Sequence, residues 1–384
     1  MALKDVVICS EDFPPYPGGI AQWAFGVAHS LQQMGHRVQV FTRDRGEQYR
    51  LPTQTLPCAV NFVQGRYWRQ WRSFYWYRAL RDYLVPGRRI DVVIATTWNA
   101  ARGLLPLARR HHVPLVTIVH GLEVTRTMPA LKRRWLTKTL NACDLVVAVS
   151  EFTRERVVAV HDLAPEKIVV LPDGVDPARF FPAADTAALR RRFGLQNEKV
   201  ILTLARVIER KGHDQVLKAL PAVKRSVPAV KYLICGPWED DYYRFLQELV
   251  AGLGLQNDVV FTGYVPADEM NLFYSLCDVY IMPSRELVNR GDTEGFGITF
   301  LEANACAKPV IGSRSGGVVD AVVDGETGFL VEPENTDEIA RKLILLLTDA
   351  ELARRLGAQG RERILRQYTW EVIAQSLVNT IWKT

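Results

Sequence analysis

The chain opens with Val6-Val-Ile-Cys9, the loop Phe13-Pro-Pro-Tyr-Pro-Gly-Gly19, a stretch from Ile20 to about Met34 that ends at Gly35, and then Arg37-Val-Gln-Val-Phe41. This reads as strand, loop, helix, strand. Asp91-Val-Val-Ile-Ala95, Leu115-Val-Thr-Ile-Val119 and Leu145-Val-Val-Ala-Val149 repeat the pattern, with helix-like segments between them. Short, wholly apolar strands alternating with helices mean a parallel sheet covered on both faces. The pattern restarts at Lys199-Val-Ile-Leu-Thr-Leu204 and continues through Val230–Cys235, Val259–Phe261, Val279–Met282 and Pro309–Ile311. Residues 172–198, with Pro172, Pro177 and Pro182, read as the linker. The expected fold class is α/β, with two doubly wound, Rossmann-like domains facing a central cleft. They span 1–182 and 183–368, and a helix at 369–384 packs back on the first. Ligands of such sheets bind at the carboxyl ends of strands.

The 384 residues suit two domains. Hydrophobic content of 48% and charged content of 23% fit an ordinary globular protein. No apolar run approaches the roughly 20 residues that span a bilayer. The apolar start is too short for a signal peptide and carries Lys4 and Asp5. The six cysteines are scattered with no C-x-x-C pair, against zinc or disulfides and for a reducing cytoplasm. Net charge is +6, unevenly spread. Residues 1–175 hold 23 Lys+Arg against 14 Asp+Glu (+9), and the remaining 25 and 28 give −3. The basic half suggests an anionic partner. No recognition-helix or ribonucleoprotein motif accompanies it, so nucleic acid is not expected.

Glu294-Gly-Phe-Gly-Ile-Thr-Phe-Leu-Glu302 brackets a Gly-x-Gly turn with two carboxylates and runs into a helix over roughly 297–307. Gly295 and Gly297 permit a tight turn and close approach of a ligand. The free amides and positive dipole end of the helix suit a phosphate, and the carboxylates suit sugar hydroxyls. A helix start with two solvated glutamates is the alternative. Arg206 and Lys211 follow the first strand of the second half and suit a diphosphate, the Arg bidentately and the Lys as a point charge. A solvated charged loop is the alternative there. Gly18-Gly19 precede a helix and offer amides to a second phosphate, or form a plain turn. His120 follows a strand, either placed for hydrogen bonding in the cleft or structural. The glycine turns at Gly236 and Gly263 suit a flat base held by main-chain groups.

Taken in order, Gly18-Gly19, His120-Gly121, Pro172-Asp-Gly-Val-Asp176, Arg206…Lys211-Gly212, Gly263-Tyr-Val-Pro266 and Glu294-x7-Glu302 resemble glycosyltransferase family 4, retaining enzymes of the GT-B fold. The loop Met282–Gly297 is similar to that of the phosphatidylinositol-mannoside mannosyltransferase branch. The chain departs from the family at Asp173, where Asn is usual; Asp also suits a turn. The resemblance implies a nucleotide-diphosphate sugar, GDP-mannose or a UDP-hexose, as co-substrate, a lipid-linked or glycan acceptor bound by the first domain, and an α-linked product. It implies that Arg206 and Lys211 bind the diphosphate, Glu302 the ribose, and Glu294 the sugar hydroxyls as the proposed catalytic carboxylate. His120 would reach the sugar. Gly18, Gly19, Gly236, Gly263, Val265, Phe296, Gly297 and Ile298 would complete the donor site. No Asp-x-Asp pair stands at a strand end, so the cations are expected to replace a metal, and no cofactor is expected. A non-catalytic GT-B nucleotide-sugar-binding subunit and a soluble small-molecule glycosyltransferase are the rival readings.

Asn61–Arg81 interleaves aromatics with arginine. Tyr67, Trp68, Arg69, Trp71 and Arg72 are expected to meet an acceptor or the headgroups of an anionic membrane, with Tyr75, Trp76 and Tyr77 nearby and Lys132-Arg-Arg-Trp135 as a second basic patch. Packing in a helix, or stacking on a soluble acceptor's sugars, remains open.

Overall fold

Apolar runs too short for helices and buried on both faces become strands, and the helix-forming segments between them carry the chain back for the next parallel strand. A computed structural model describes residues 3–50, 56, 58–65, 72–85, 88–183 and 185–382, with the backbone alone at Arg72. The chain forms two compact units: residues 1–174 with 370–384, and residues 175–369.

In the first unit Asp5–Ser10 (β1), Arg37–Arg43 (β2), Ala59–Val63 (β3), Val92–Ala95 (β4), Leu115–Val119 (β5), Leu145–Ala148 (β6) and Ile168–Val170 (β7) form a parallel sheet in the order β3-β2-β1-β4-β5-β6-β7. In the second, Lys199–Leu204 (β8), Val230–Cys235 (β9), Val259–Gly263 (β10), Val279–Ile281 (β11), Val310–Ser313 (β12) and Gly328–Val331 (β13) follow the order β10-β9-β8-β11-β12-β13, again parallel. The strand order reverses between β1 and β4 in one sheet and between β8 and β11 in the other. At such a switch point the two connections leave on opposite faces and open a crevice beyond the strands' carboxyl ends.

β3, β7 and β13 do not stand out in the sequence. Ile168–Val170 and Gly328–Val331 are edge strands of only 3 and 4 residues. Ala59–Val63, also at an edge, is largely half-exposed and interrupted by Asn61. β3 and β7 are only partly buried, so the continuous apolar signal of a central strand is weak there, whereas β13 is buried throughout but short and opens on a glycine.

Two placements differ from expectation. The division falls between Gly174 and Val175 rather than after Pro182. Residues 175–182 belong to the second unit because Phe180 is buried there, edge-on to Tyr274. Phe181 N also donates to Asn271 and the Arg179 guanidinium to the Ala267 carbonyl. Trp76 is fully buried in the first unit's core beside Leu80, Leu84 and Leu104, so it is a packing residue and not a headgroup anchor. Tyr75 and Tyr77 pack partly against the same core.

The closing helix Trp370–Trp382 buries Ile373, Ala374, Leu377 and Val378 and packs on the helix Gly19–Gln33. Gly26 makes this approach possible, since a Cβ there would stand 2.2 Å from the Trp370 ring.

Candidate functional site

In the second unit the loops after β8 and β11 meet at the switch point. The first carries Arg206, Arg210 and Lys211, and the second carries Asp292 and Glu294. Glu294 Oε2 accepts from Arg210 Nη1 at 2.5 Å and from Lys211 Nζ. The Arg210 Nε lies 2.8 Å from Asp292 Oδ1. All four side chains are largely buried, Arg210 to 4% exposure. Burial alone would raise the Glu294 pKa, but the adjacent Lys211 and Arg210 outweigh it and hold the carboxyl at about 2. Glu294 is therefore an anion at neutral pH. Its backbone is also fixed: Gly317 N donates to the Glu294 carbonyl at 2.8 Å.

The residues after Glu294 shape the anion-suited turn. Gly297 takes φ 96°, left-handed backbone that favours glycine, and caps the helix Ile298–Ala305. That helix is shorter than 297–307 because Cys306 and Ala307 leave the helical path, Ala307 with φ 55°. Phe296 is buried and stacked on Tyr368, with ring centroids 6.2 Å apart. Glu302 is 1% exposed and accepts from Tyr274 Oη at 2.6 Å.

Arg206 differs from its expected partner Lys211. It is exposed, and its guanidinium forms no ion pair among the described residues. Its carbonyl lies 3.4 Å from the Nε2 of buried His213. At the carboxyl ends of β9 and β10, Gly236 N donates to the Gly263 carbonyl at 2.8 Å, which brings the two glycine turns together. Val265 is buried beside them in sequence, and Tyr264 is 62% exposed.

In the first unit Gly18 caps the helix Gly19–Gln33, which follows β1 at its switch point. His120, at the end of β5, stands edge-on to Trp23 of that helix at 6.4 Å. Burial outweighs a hydrogen bond to the Thr96 backbone and lowers the His120 pKa to about 4, so the ring is neutral at pH 7. Its buried Nε2 has no hydrogen-bond partner among the described residues. Glu123, absent from the sequence reading, accepts from His120 N at 2.5 Å, and burial pushes its pKa up. Tyr67, Trp68, Arg69 and Trp71 lie outside the described residues, and Arg72 begins the helix Arg72–Arg81.

Arg210 and Asp292 are also absent from the sequence reading. Asp292 and Glu294 are alternate residues, so one guanidinium fork reaches both. No local sequence signal marks them, because the contact joins two loops distant in sequence. Among the described residues no group of three or more His, Cys, Asp and Glu is placed to hold a metal ion. None of the helices among them is long and apolar enough to cross a membrane.

This architecture recurs in solved glycosyltransferases. The Anabaena protein HepE, solved with UDP and glucose, superposes with a TM-score of 0.80 over 99% of this chain and 100% of its own, at 21% identity. Sucrose-phosphate synthase from Thermosynechococcus elongatus also gives 0.80, covering 99% and 98% at 21% identity. At that identity these likenesses concern the fold, which is GT-B. The family model "Glycosyltransferase Family 4" matches residues 17–179, and "Glycosyl transferases group 1" matches residues 185–363. Fold and sequence together define a nucleotide-sugar glycosyltransferase.

Two relatives narrow the kinship. The GDP-mannose-dependent alpha-(1-6)-phosphatidylinositol monomannoside mannosyltransferase of Mycobacterium tuberculosis is 31% identical over 98% of this chain and 98% of its own. Its counterpart in Mycolicibacterium smegmatis is 37% identical over 72% and 73%. The chain belongs to glycosyltransferase family 4.

Proposed function

We propose that the protein is a retaining mannosyltransferase that uses GDP-mannose, needs no metal, and glycosylates a lipid-linked acceptor at the cytoplasmic face of a membrane. The observation that carries this reading is Glu294, kept ionised by Lys211 and Arg210 beside the amino end of the helix Ile298–Ala305. In the reaction the bond from sugar C1 to the diphosphate oxygen breaks, and a bond from C1 to the acceptor oxygen forms on the same face. The acceptor proton leaves with the diphosphate. Charge develops on the leaving group, where exposed Arg206, Lys211 and the helix amides stabilise it. Glu294 orients the sugar through its hydroxyls, Glu302 takes the ribose, and neutral His120 donates to or accepts from the sugar through Nε2. The names of the relatives support mannose and guanosine.

The acceptor reading is supported by the helix Ala130–Ala142. It exposes Leu131 and Trp135 (58% and 40%) together with Lys132, Arg133, Arg134 and Lys138. This helix and the helix Arg72–Arg81, with exposed Phe74, both pack on the helix Trp98–His111. Amphipathic aromatics among cations suit an anionic lipid surface.

The test is a panel of GDP-mannose, GDP-glucose, UDP-glucose and UDP-galactose with excess chelator, following donor turnover and the anomeric configuration of the product. GDP-mannose should be consumed fastest, with an α-linked product. Faster use of a UDP-sugar would overturn the donor, a β-linkage the retaining course, and loss of activity restored by magnesium or manganese the metal independence.

A further inference from the structure

The loop between β11 and the helix Ile298–Ala305 is latched to the loop after β8 at several points besides the Glu294 contact. Arg285 N donates to the Arg210 carbonyl at 2.9 Å. Arg290 lies 3.5 Å from Glu209, and Arg285 lies 3.1 Å from buried Asp214 in the first turn of the helix that follows that loop. Leu287 and Asp292 bridge each other and close a short turn, so Asp292 is carried on a fixed base. Arg210 sits at the centre of this latch with its fork divided between Asp292 and Glu294. A buried guanidinium with two carboxylates to neutralise is poorly placed to leave them for a phosphate, since departure would strand both anions with Lys211 alone. Arg206, exposed and without an ion pair among the described residues, has no such tie.

We propose that Arg210, anchored by Asp292, is a positioning residue for Glu294: it occupies Oε2, fixes the direction in which the carboxylate faces the donor, and does not bind the donor itself. This rests on the reading of Glu294 as the donor-contacting carboxylate. The guanidinium is required because its Nε and Nη1 lie against two different carboxylates at once, which a compact lysine ammonium does not span in the same way. The charged groups that face Glu294 and hold it ionised are Lys211 and Arg210 from the loop after β8, with Asp292 acting through Arg210; the neutral Tyr280 phenol of β11 is the other titratable group near it.

The variants R210Q, R210K, D292N and E294Q are compared with the parent, using the panel donor that the parent turns over fastest. In R210Q, kcat should fall about 10- to 100-fold, the cost of a misaimed catalytic group. The donor KM and the dissociation constant of the free nucleoside diphosphate should stay within about twofold. The Glu294 carboxyl should rise from about 2 toward its ordinary pKa of about 4.3, moving the acid limb of the kcat profile up toward that pH. R210K should recover the pH profile but only part of kcat. D292N should lower kcat without raising the acid limb, a split that general loss of structure would not produce, and this pair carries the test if R210Q fails to fold. A raised KM and weaker diphosphate binding with near-normal kcat would make Arg210 a donor ligand and overturn the proposal, as would parental kinetics in both R210Q and D292N. E294Q separates the two levels. An active E294Q removes the reading of Glu294 and with it the proposal, whereas an inactive E294Q beside a parental R210Q removes the proposal alone.

Discussion

Arg206 and Lys211 carry the same charge in opposite surroundings, one exposed and one buried against Glu294. Both are expected to lose transition-state stabilisation on truncation, by different routes. R206A removes a cation that meets the developing diphosphate charge, and K211A additionally frees Glu294 from one of its two cations. Each should lower kcat/KM by about 2–4 kcal/mol, as for the loss of one preorganised charge donor, and steady-state kinetics check it. Near-normal turnover in both variants would remove the assignment. Lys211 and His120 are legible in the sequence because each stands beside a glycine turn that follows a strand, and Glu294 and Gly297 because they bracket a glycine turn that opens a helix. Arg210, Asp292 and Glu123 are not, because their meaning lies in pairing. Arg210 and Glu294 are distant in sequence, and a charged residue in a loop is ordinarily solvated.

The helix His213–Ser226 illustrates what an element imposes on its first residue. His213 is fully buried where the loop after β8 turns into the helix, its Nδ1 3.4 Å from Tyr232 Oη, itself 2.8 Å from Thr203 Oγ1. Burial, and secondarily the nearby Lys211, lower its pKa to about 4, against the upward pull of the Arg206 carbonyl and Asp214. The positive end of the helix dipole acts in the same sense. The folded pKa lies below the unfolded value of about 6.5, so the unfolded chain takes up the proton first. His213 therefore costs nothing above pH 6.5, and stability falls as pH drops from 6.5 toward 4, by up to about 3 kcal/mol. Denaturant unfolding at several pH values should show this slope, to which His120, with a pKa also lowered to about 4, adds its own share; H213Q should make it shallower without abolishing it, and an unchanged slope in H213Q would show that His213 does not contribute.

For the whole molecule the chain's path matters more than any one contact. It leaves the first unit at Gly174 and builds the second. It returns at Trp370, whose ring meets Gly26 and Gly174. The first unit also carries the excess positive charge, and its exposed Leu131, Trp135 and neighbouring cations form a surface suited to anionic lipid. Liposome flotation should show binding that requires anionic lipid and weakens with salt, since exposed charges are screened over about 10 Å at 0.1 M. K132E with R134E should reduce it, as should R69E with R72E. Absence of binding at low salt would favour a soluble acceptor.

Two parallel α/β halves were readable from the sequence because a strand buried on both faces must be apolar throughout, and that pattern is local. The glycine turns and carboxylates at strand ends were readable for the same reason, and their order along the chain pointed to the family. The edge strands β3, β7 and β13, the core position of Trp76 and the boundary at Gly174 were decided by packing. Amphipathic residues such as Trp76 take whichever side their helix presents, and Phe180 binds its segment to the unit that can bury it. The sharing of Glu294 between Lys211 and Arg210, and of Arg210 between Glu294 and Asp292, follows from the crossing of two loops at a reversal of strand order. No local pattern encodes that crossing, because it arises from the sheet that lies between them.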